Sequence, residues 1–341
     1  MMFVPKLRAA NDPQADGPPQ REPVIGLALG AGAARGWAHI GIMNKLDEMG
    51  IRPRVVVGTS IGAVVGGCWA SGKLGELEVF ARSLTKRGMF GMMDWTLMGS
   101  GLLAGDRIKK QLEERFKGQL IEDLPVRFAS VATEIGTGHE IWLTRGEITK
   151  AMRASYALPG IFAPVQLGGR WLMDGALTNP VPVTVARALG AEMIIAVNLH
   201  TDVLGRSGVI HDHGDVSESL PVAPTPEQDE ARQSLFSAVS SRIRRPFGGQ
   251  APPPVDKTNP APGLMSVMLD AFNISQDRIA RARLAGDPPD VMVTPKLGGL
   301  GLSEFHRADE AIAAGEAAIA KVMDDILDIR KALTLRTKTV G

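Results

Sequence analysis

The sequence holds a single cysteine, Cys68, among 341 residues. That excludes an intramolecular disulfide and any multi-cysteine metal site, and it fits a reducing compartment. Within Gly66-Gly67-Cys68-Trp69-Ala70 the thiol reads as a small buried hydrophobe. Long apolar runs are missing as well: nothing approaches the roughly 18 residues that a membrane-spanning helix needs. Lys6 and Arg8 are followed by no apolar stretch, so no signal peptide is expected. An excess of one charge is also lacking. Lys and Arg number 38 against 37 Asp and Glu, a net charge of +1 with no basic block. This removes the electrostatic footprint of a nucleic-acid binder. The expected location is cytoplasmic.

Hydrophobic residues make up 44% of the chain and charged residues 22%, ordinary globular usage that supports a sizeable core. Four stretches differ in character. Residues 1–22 are polar, carry Pro13, Pro18 and Pro19, and read as a disordered tail. Residues 23–200 alternate short apolar runs, glycine turns and helical patterns. Residues 201–262 hold nine of the 23 prolines and only two aromatics, Phe236 and Phe247, so they read as a flexible Pro-rich insertion. A short helix is expected there around Glu227 to Val239. Residues 263–341 complete the domain, with a last strand at Val291 to Val293 and an amphipathic helix running from Phe305. Ala308, Ile312, Gly315, Ile319, Val322, Ile326 and Ile329 recur along that helix in steps of three and four. It packs against the sheet or against a second copy of the chain, which leaves a homo-oligomer open.

Val24 to Leu29 and Val55 to Val57 are β-branched or apolar runs, each followed by a glycine-bearing turn and a helical pattern. Strand, turn and helix repeated twice within about fifty residues predict βαβ units and a mainly parallel sheet. Further strands are expected at Phe128 to Thr133, His139 to Leu143 and Met193 to Asn198. Helices are expected over Glu147 to Ser155 and Val183 to Leu189.

Three motifs carry chemistry. The first is Gly58-Thr59-Ser60-Ile61-Gly62, a Gly-x-Ser-x-Gly turn between a strand and a helix. This is the pattern of a nucleophile elbow, in which a tight turn lifts a serine hydroxyl into a cleft and offers the next backbone N–H, here that of Ile61, to an oxyanion. The second is Gly30-Ala31-Gly32-Ala33-Ala34-Arg35-Gly36. Its amides around Ala31 and Gly32, at a helix start, suit an oxyanion hole. A dinucleotide fingerprint fits less well, because Arg35 stands where the third glycine belongs; a tight turn without a ligand is the plain alternative. Arg35 could bind a substrate phosphate or pair with a carboxylate on a neighbouring loop. The third is Asp174-Gly175-Ala176, an aspartate after the apolar run Trp171-Leu172-Met173. Partly desolvated beside Ser60, that carboxylate could take its proton directly; otherwise Asp-Gly is simply a turn. Of the six histidines none stands out as a base, with His200, after a strand end, the best placed.

In this order, and with Ala154-Ser155, Pro159, Pro164 and Asn179-Pro180-Val181-Pro182 between and after them, these motifs resemble the patatin-like phospholipases, in the bacterial branch related to neuropathy target esterase. The likeness covers roughly residues 23 to 200, with a weaker match after 264. It implies a three-layer α/β/α patatin-like fold with a mainly parallel central sheet. It also implies a serine acyl hydrolase with Ser60 as nucleophile, Asp174 as base, and Gly30, Ala31, Gly32 and Ile61 around the oxyanion. Arg35, Gly36, Gly58, Gly62, Gly175 and Ala176 support the motifs. No metal or other cofactor is implied, and the substrate would be a lipid ester. Read from its own composition, Met89 to Leu103 is rich in methionine and would cap the acyl site, touch the inner face of a membrane peripherally, or form a buried core helix. Two rival readings remain at this point: a non-catalytic regulatory or scaffold protein retaining the fold, and an esterase pairing Ser60 with His200.

Overall fold

The computed structural model describes residues 21–85, 114–200 and 263–339. Eight strands form one sheet: β1 (Ile25–Leu29), β2 (Val55–Thr59), β3 (Arg127–Glu134), β4 (Glu140–Leu143), β5 (Val165–Leu167), β6 (Arg170–Asp174), β7 (Met193–Val197) and β8 (Val291–Val293). The helices are α1 (Ala38–Glu48), α2 (Ile61–Ala70), α3 (Leu74–Ser83), α4 (Ile148–Ser155), α5 (Val183–Ala188), α6 (Leu264–Gly286), α7 (Ala308–Ala320) and α8 (Met323–Thr339). The strand order is β5-β6-β3-β2-β1-β7-β8, with β4 also paired to β3. From β3 through β8 the neighbours run parallel, whereas β4, β5 and β6 enter antiparallel.

Every residue of β1, β2 and β7 is buried, as expected of strands covered on both faces, whose sequences run nearly all apolar or small instead of alternating with polar residues. Alternate side chains divide between two apolar layers. Leu27, Leu29, Val56 and Phe128 pack with α1, α2, α4 and α7, while Ala28, Val55, Val57 and Ala129 pack with α5 and Ala280 of α6. This is the expected three-layer α/β/α arrangement. Cys68 lies buried in the first layer, and burial pushes its thiol up to about 12, so it remains a neutral hydrophobe.

The placement of the site follows from β3, which serves three partners. Residues 127–131 pair with β2, 130–133 with β4 and 132–134 with β6. A strand has two edges. Residues 130 and 131 already use both, for β2 and β4, and residues 132 and 133 use both for β4 and β6. Hence β6 continues along the same edge as β2. Thr59 stands opposite Val131, and Asp174 stands opposite Ala132, one rung further on. Because β6 runs against β3, the C-terminal ends of β2 and β6 meet head-on in one lane.

Several elements differ from the sequence reading. The strand Arg170–Asp174 and its partner β5 were not anticipated, nor was the long helix α6. The single C-terminal helix expected from Phe305 is two. At Val322 the backbone N–H bonds to Ile319 O, three residues back instead of four, and the chain turns between α7 and α8. The expected tail, the Pro-rich insertion with its short helix, and the Met89 to Leu103 segment lie outside the described residues, apart from 21 and 22 of the tail.

Helices α1 and α7 cross at two glycines. A Cβ on Gly41 would collide with Ile312 O, and one on Gly315 with Ala38 O, so the backbones touch. Gly75 in α3, by contrast, faces open space. Gly315→Ala should therefore cost about 1–3 kcal/mol by overpacking, whereas Gly75→Ala should be neutral or gain up to ~1 kcal/mol. Urea unfolding of both variants against the parent measures the contrast.

Candidate active site

The elbow is built from close backbone approach. A Cβ on Gly58 would strike the Ala63 amide nitrogen, and one on Gly62 would strike Leu29 O. Between them Ser60 takes φ 57 and ψ −123, one of three non-glycine residues with positive φ among those described. Such a conformation costs on the order of 1–3 kcal/mol and persists only when its surroundings fix it. They do so here. Ser60 N–H donates to Ser155 Oγ at 2.8 Å, and Ser155 Oγ–H donates onward to Val131 O at 2.5 Å. Thr59 Oγ1–H donates to Asn179 O at 2.8 Å.

Across the junction of β2 and β6, Ser60 Oγ–H donates to Asp174 Oδ2 at 2.6 Å. Oδ1 accepts the Ala176 N–H at 2.8 Å, which caps the short 3-10 turn at 175–177. A side chain on Gly175 would run into Val131 O, so only glycine lets this turn lie against β3. Asp174 is 1% exposed. Burial pushes its carboxyl from 3.8 up to about 7, against the lowering effect of the bonds from Ser60 and Ala176, and no cationic side chain contributes to the shift.

The glycine-rich turn presses against the elbow, since a Cβ on Gly36 would overlap the Ile61 side chain. Its amides are not equivalent. Gly30 N–H donates to Val197 O at 3.1 Å and Ala31 N–H to Pro180 O at 2.9 Å. This corrects the expected set: two of its four donors are already engaged in holding the turn. Among the described residues, the amides of Gly32, Ala33 and Ile61 have no acceptor. Ala33, which lies in the motif but not among the expected donors, takes φ 48 as the first residue of the 3-10 turn Ala33–Trp37.

Arg35 is buried and its Nε–H donates to Leu300 O at 2.8 Å. Burial lowers it to about 10, which leaves it charged at neutral pH, with Glu304 pulling the other way. Within the described residues it forms no salt bridge, and its Nε–H ties the turn to the 297–302 loop. The histidines fall away from the serine. His200 is 1% exposed and pushed down to about 4 by burial, and neither of its ring nitrogens bonds to Ser60 or Asp174. His39 Nε2 lies 2.8 Å from Gly30 O, and His139 faces Glu134 at 3.7 Å. His211 and His213 are outside the described residues. The described residues contain no group of three His, Cys, Asp or Glu side chains able to hold a metal ion, and no helix long and apolar enough to cross a membrane.

Comparison with known proteins adds the lineage. The sequence model described as patatin-like phospholipase matches residues 27–187, a span that contains all three motifs. An uncharacterized NTE family protein of Mycobacterium tuberculosis is 33% identical over 336 residues, covering 89% of this chain and 92% of that one. The chain belongs to the patatin-like NTE family. A lysophospholipase of Emericella nidulans is 28% identical over 235 residues, covering 64% of this chain but 15% of the fungal protein. VipD from Legionella pneumophila superposes with a TM-score of 0.40 at 14% identity, over 90% of this chain and 67% of that one. Membership in this patatin-like family supports a lipid hydrolase in general terms.

Burial of Asp174 has a thermodynamic consequence. The folded state holds its proton more tightly than the unfolded chain does. The stability this group contributes is therefore full below about 3.8 and is lost as pH rises to about 7. Asp174→Asn should stabilise the protein at pH 8, by a few kcal/mol at most, and change it little at pH 4. Thermal unfolding of both proteins across that range reads the sign directly.

Proposed function

We propose that this protein is a serine acyl hydrolase of lipid esters, of the lipase, phospholipase or lysophospholipase type, working through Ser60 and Asp174. The observation that carries this reading is the 2.6 Å bond from the Ser60 hydroxyl, on a strained elbow, to a desolvated carboxylate with no cationic partner. Asp174 takes the hydroxyl proton as Ser60 Oγ attacks the ester carbonyl. The oxyanion is met by the free amides of Gly32, Ala33 and Ile61 and by the N-terminal end of α2. Collapse of the tetrahedral intermediate breaks the bond to the alcohol, which leaves with the proton held by Asp174. Asp174 then draws a proton from water, the resulting hydroxide attacks the acyl-Ser60 ester, and the proton returns to Ser60 as the acid departs.

A base near 7 suits the task, being basic enough to accept a proton yet ionised in useful amount at neutral pH. The nucleophile requires the carboxylate form, so kcat/KM should rise with pH and level off above an apparent pKa of about 7. Hydrolysis of a short-chain p-nitrophenyl ester and of a lysophospholipid by the wild type, Ser60→Ala and Asp174→Asn tests the assignment. Each variant is expected to lose about 10³-fold or more in kcat while remaining folded. Turnover retained by Asp174→Asn would reject the carboxylate as base. A wild type that neither hydrolyses esters nor labels with a fluorophosphonate would point to the non-catalytic reading.

A further inference from the structure

His39 sits near the start of α1, fully buried, between the core residues Trp37 and Ala38 before it and Ile40, Ile42 and Met43 after it in sequence. Burial pushes its pKa down to about 4, so the ring is neutral at physiological pH and carries one proton. Nε2 lies 2.8 Å from Gly30 O, and Nδ1 has no partner among the described residues. A carbonyl can only accept, so the proton is on Nε2.

The partner of that bond is the informative part. The Gly30 carbonyl and the Ala31 N–H belong to a single peptide group. The first accepts from His39 and the second donates to Pro180 O at 2.9 Å, while the preceding amide, Gly30 N–H, donates to Val197 O. One peptide plane is thus gripped at both ends, and the next two amides along the chain, those of Gly32 and Ala33, are the unengaged ones.

We infer that His39 is a positioning residue for the oxyanion-binding turn: its Nε2–H locks the Gly30–Ala31 peptide so that the Gly32 and Ala33 amides stay aimed at the reacting carbonyl beside Ser60. The inference rests on the acyl-hydrolase reading above. Without the imidazole donor, the Gly30 carbonyl is buried with no proton, and the peptide is held at its amide end only. It can then rotate about the chain axis and carry the Gly32 amide with it. Such a rotation weakens binding of the tetrahedral oxyanion and leaves ground-state binding of the acyl chain untouched, so it acts on kcat and spares KM.

The test compares His39→Met, which keeps a flexible apolar bulk but no donor, with His39→Gln, whose amide nitrogen can replace Nε2. The Met variant should lose about 10- to 100-fold in kcat and in the rate of fluorophosphonate labelling, with KM within about twofold. The Gln variant should recover most of the loss. A folded Met variant with wild-type kcat, or equal losses in Met and Gln, overturns the inference. If the Met variant does not fold, nitrogen NMR of the histidine rings in the wild type decides. A proton on Nδ1 of His39 overturns the proposal, and a proton on Nε2 with a hydrogen bond supports it. Wild type and Ser60→Ala run alongside: equal turnover in those two rejects the hydrolase reading itself, and the ring tautomer still tests the clamp.

Discussion

Two strands running toward each other end in the same lane beside β3, and the contact between their last side chains is what the rest of the structure serves. β2 delivers Ser60 one residue past the rung at Val131, and β6 delivers Asp174 at the rung of Ala132. A serine and an aspartate 114 positions apart in sequence thereby come within 2.6 Å, each at the end of a strand of the central sheet. The glycines around them follow from the crowding. Gly36, Gly58, Gly62 and Gly175 each occupy a place where a Cβ would meet a neighbouring backbone or side chain. Their role is to let four chain segments converge on one point.

That convergence is locally unfavourable. Ser60 is held in a conformation that L-residues avoid, and Asp174 is dehydrated with no positive side chain to offset the cost. Neither would survive in a soft environment. The surroundings are stiff: three fully buried parallel strands, a hydrogen-bonded serine relay through Ser155 to β3, and a helix crossing so close that α1 and α7 touch backbone to backbone. Stability gained in the layers on either side of the sheet is what permits strain at its end, the usual opposition between a rigid scaffold and a reactive site.

Legibility in the sequence tracks how local each feature is. The buried strands β1, β2 and β7 announce themselves through short β-branched or apolar runs, and the elbow is complete within five residues, so both the parallel sheet and Ser60 can be read directly. β6 is harder, because Arg170 to Asp174 is short, half polar and leaves Trp171 half exposed; its identity as a strand depends on pairing with residues 132–134. Helix α6 hides for a different reason. Its buried face carries Asn273, Gln276 and Asp277 where a periodic apolar stripe would be sought. The oxyanion donors were partly misread since a glycine-rich turn shows how many amides it has, never which are already bonded. Gly30 and Ala31 are engaged by Val197 and Pro180, residues more than 140 positions away. His39 looks like an unremarkable helical residue until its acceptor is known.

One short strap explains why the three motifs keep their mutual geometry. Following Asp174 by five and six residues, Asn179 and Pro180 offer their carbonyls to the two other motifs in turn. Asn179 O takes the Thr59 hydroxyl of the elbow, and Pro180 O takes the Ala31 amide of the glycine-rich turn. The segment that carries the acid therefore also sets where the nucleophile and the oxyanion donors stand. Chain between Gly62 and Asp174 can change length without disturbing that register, provided β3 and β6 still pair. Residues 174 to 180 cannot, because a single insertion there would shift both carbonyls against a carboxylate fixed by its rung on β3. The spacing from acid to strap is thus held by the sheet at one end and by the Asp-Gly turn packed against β3.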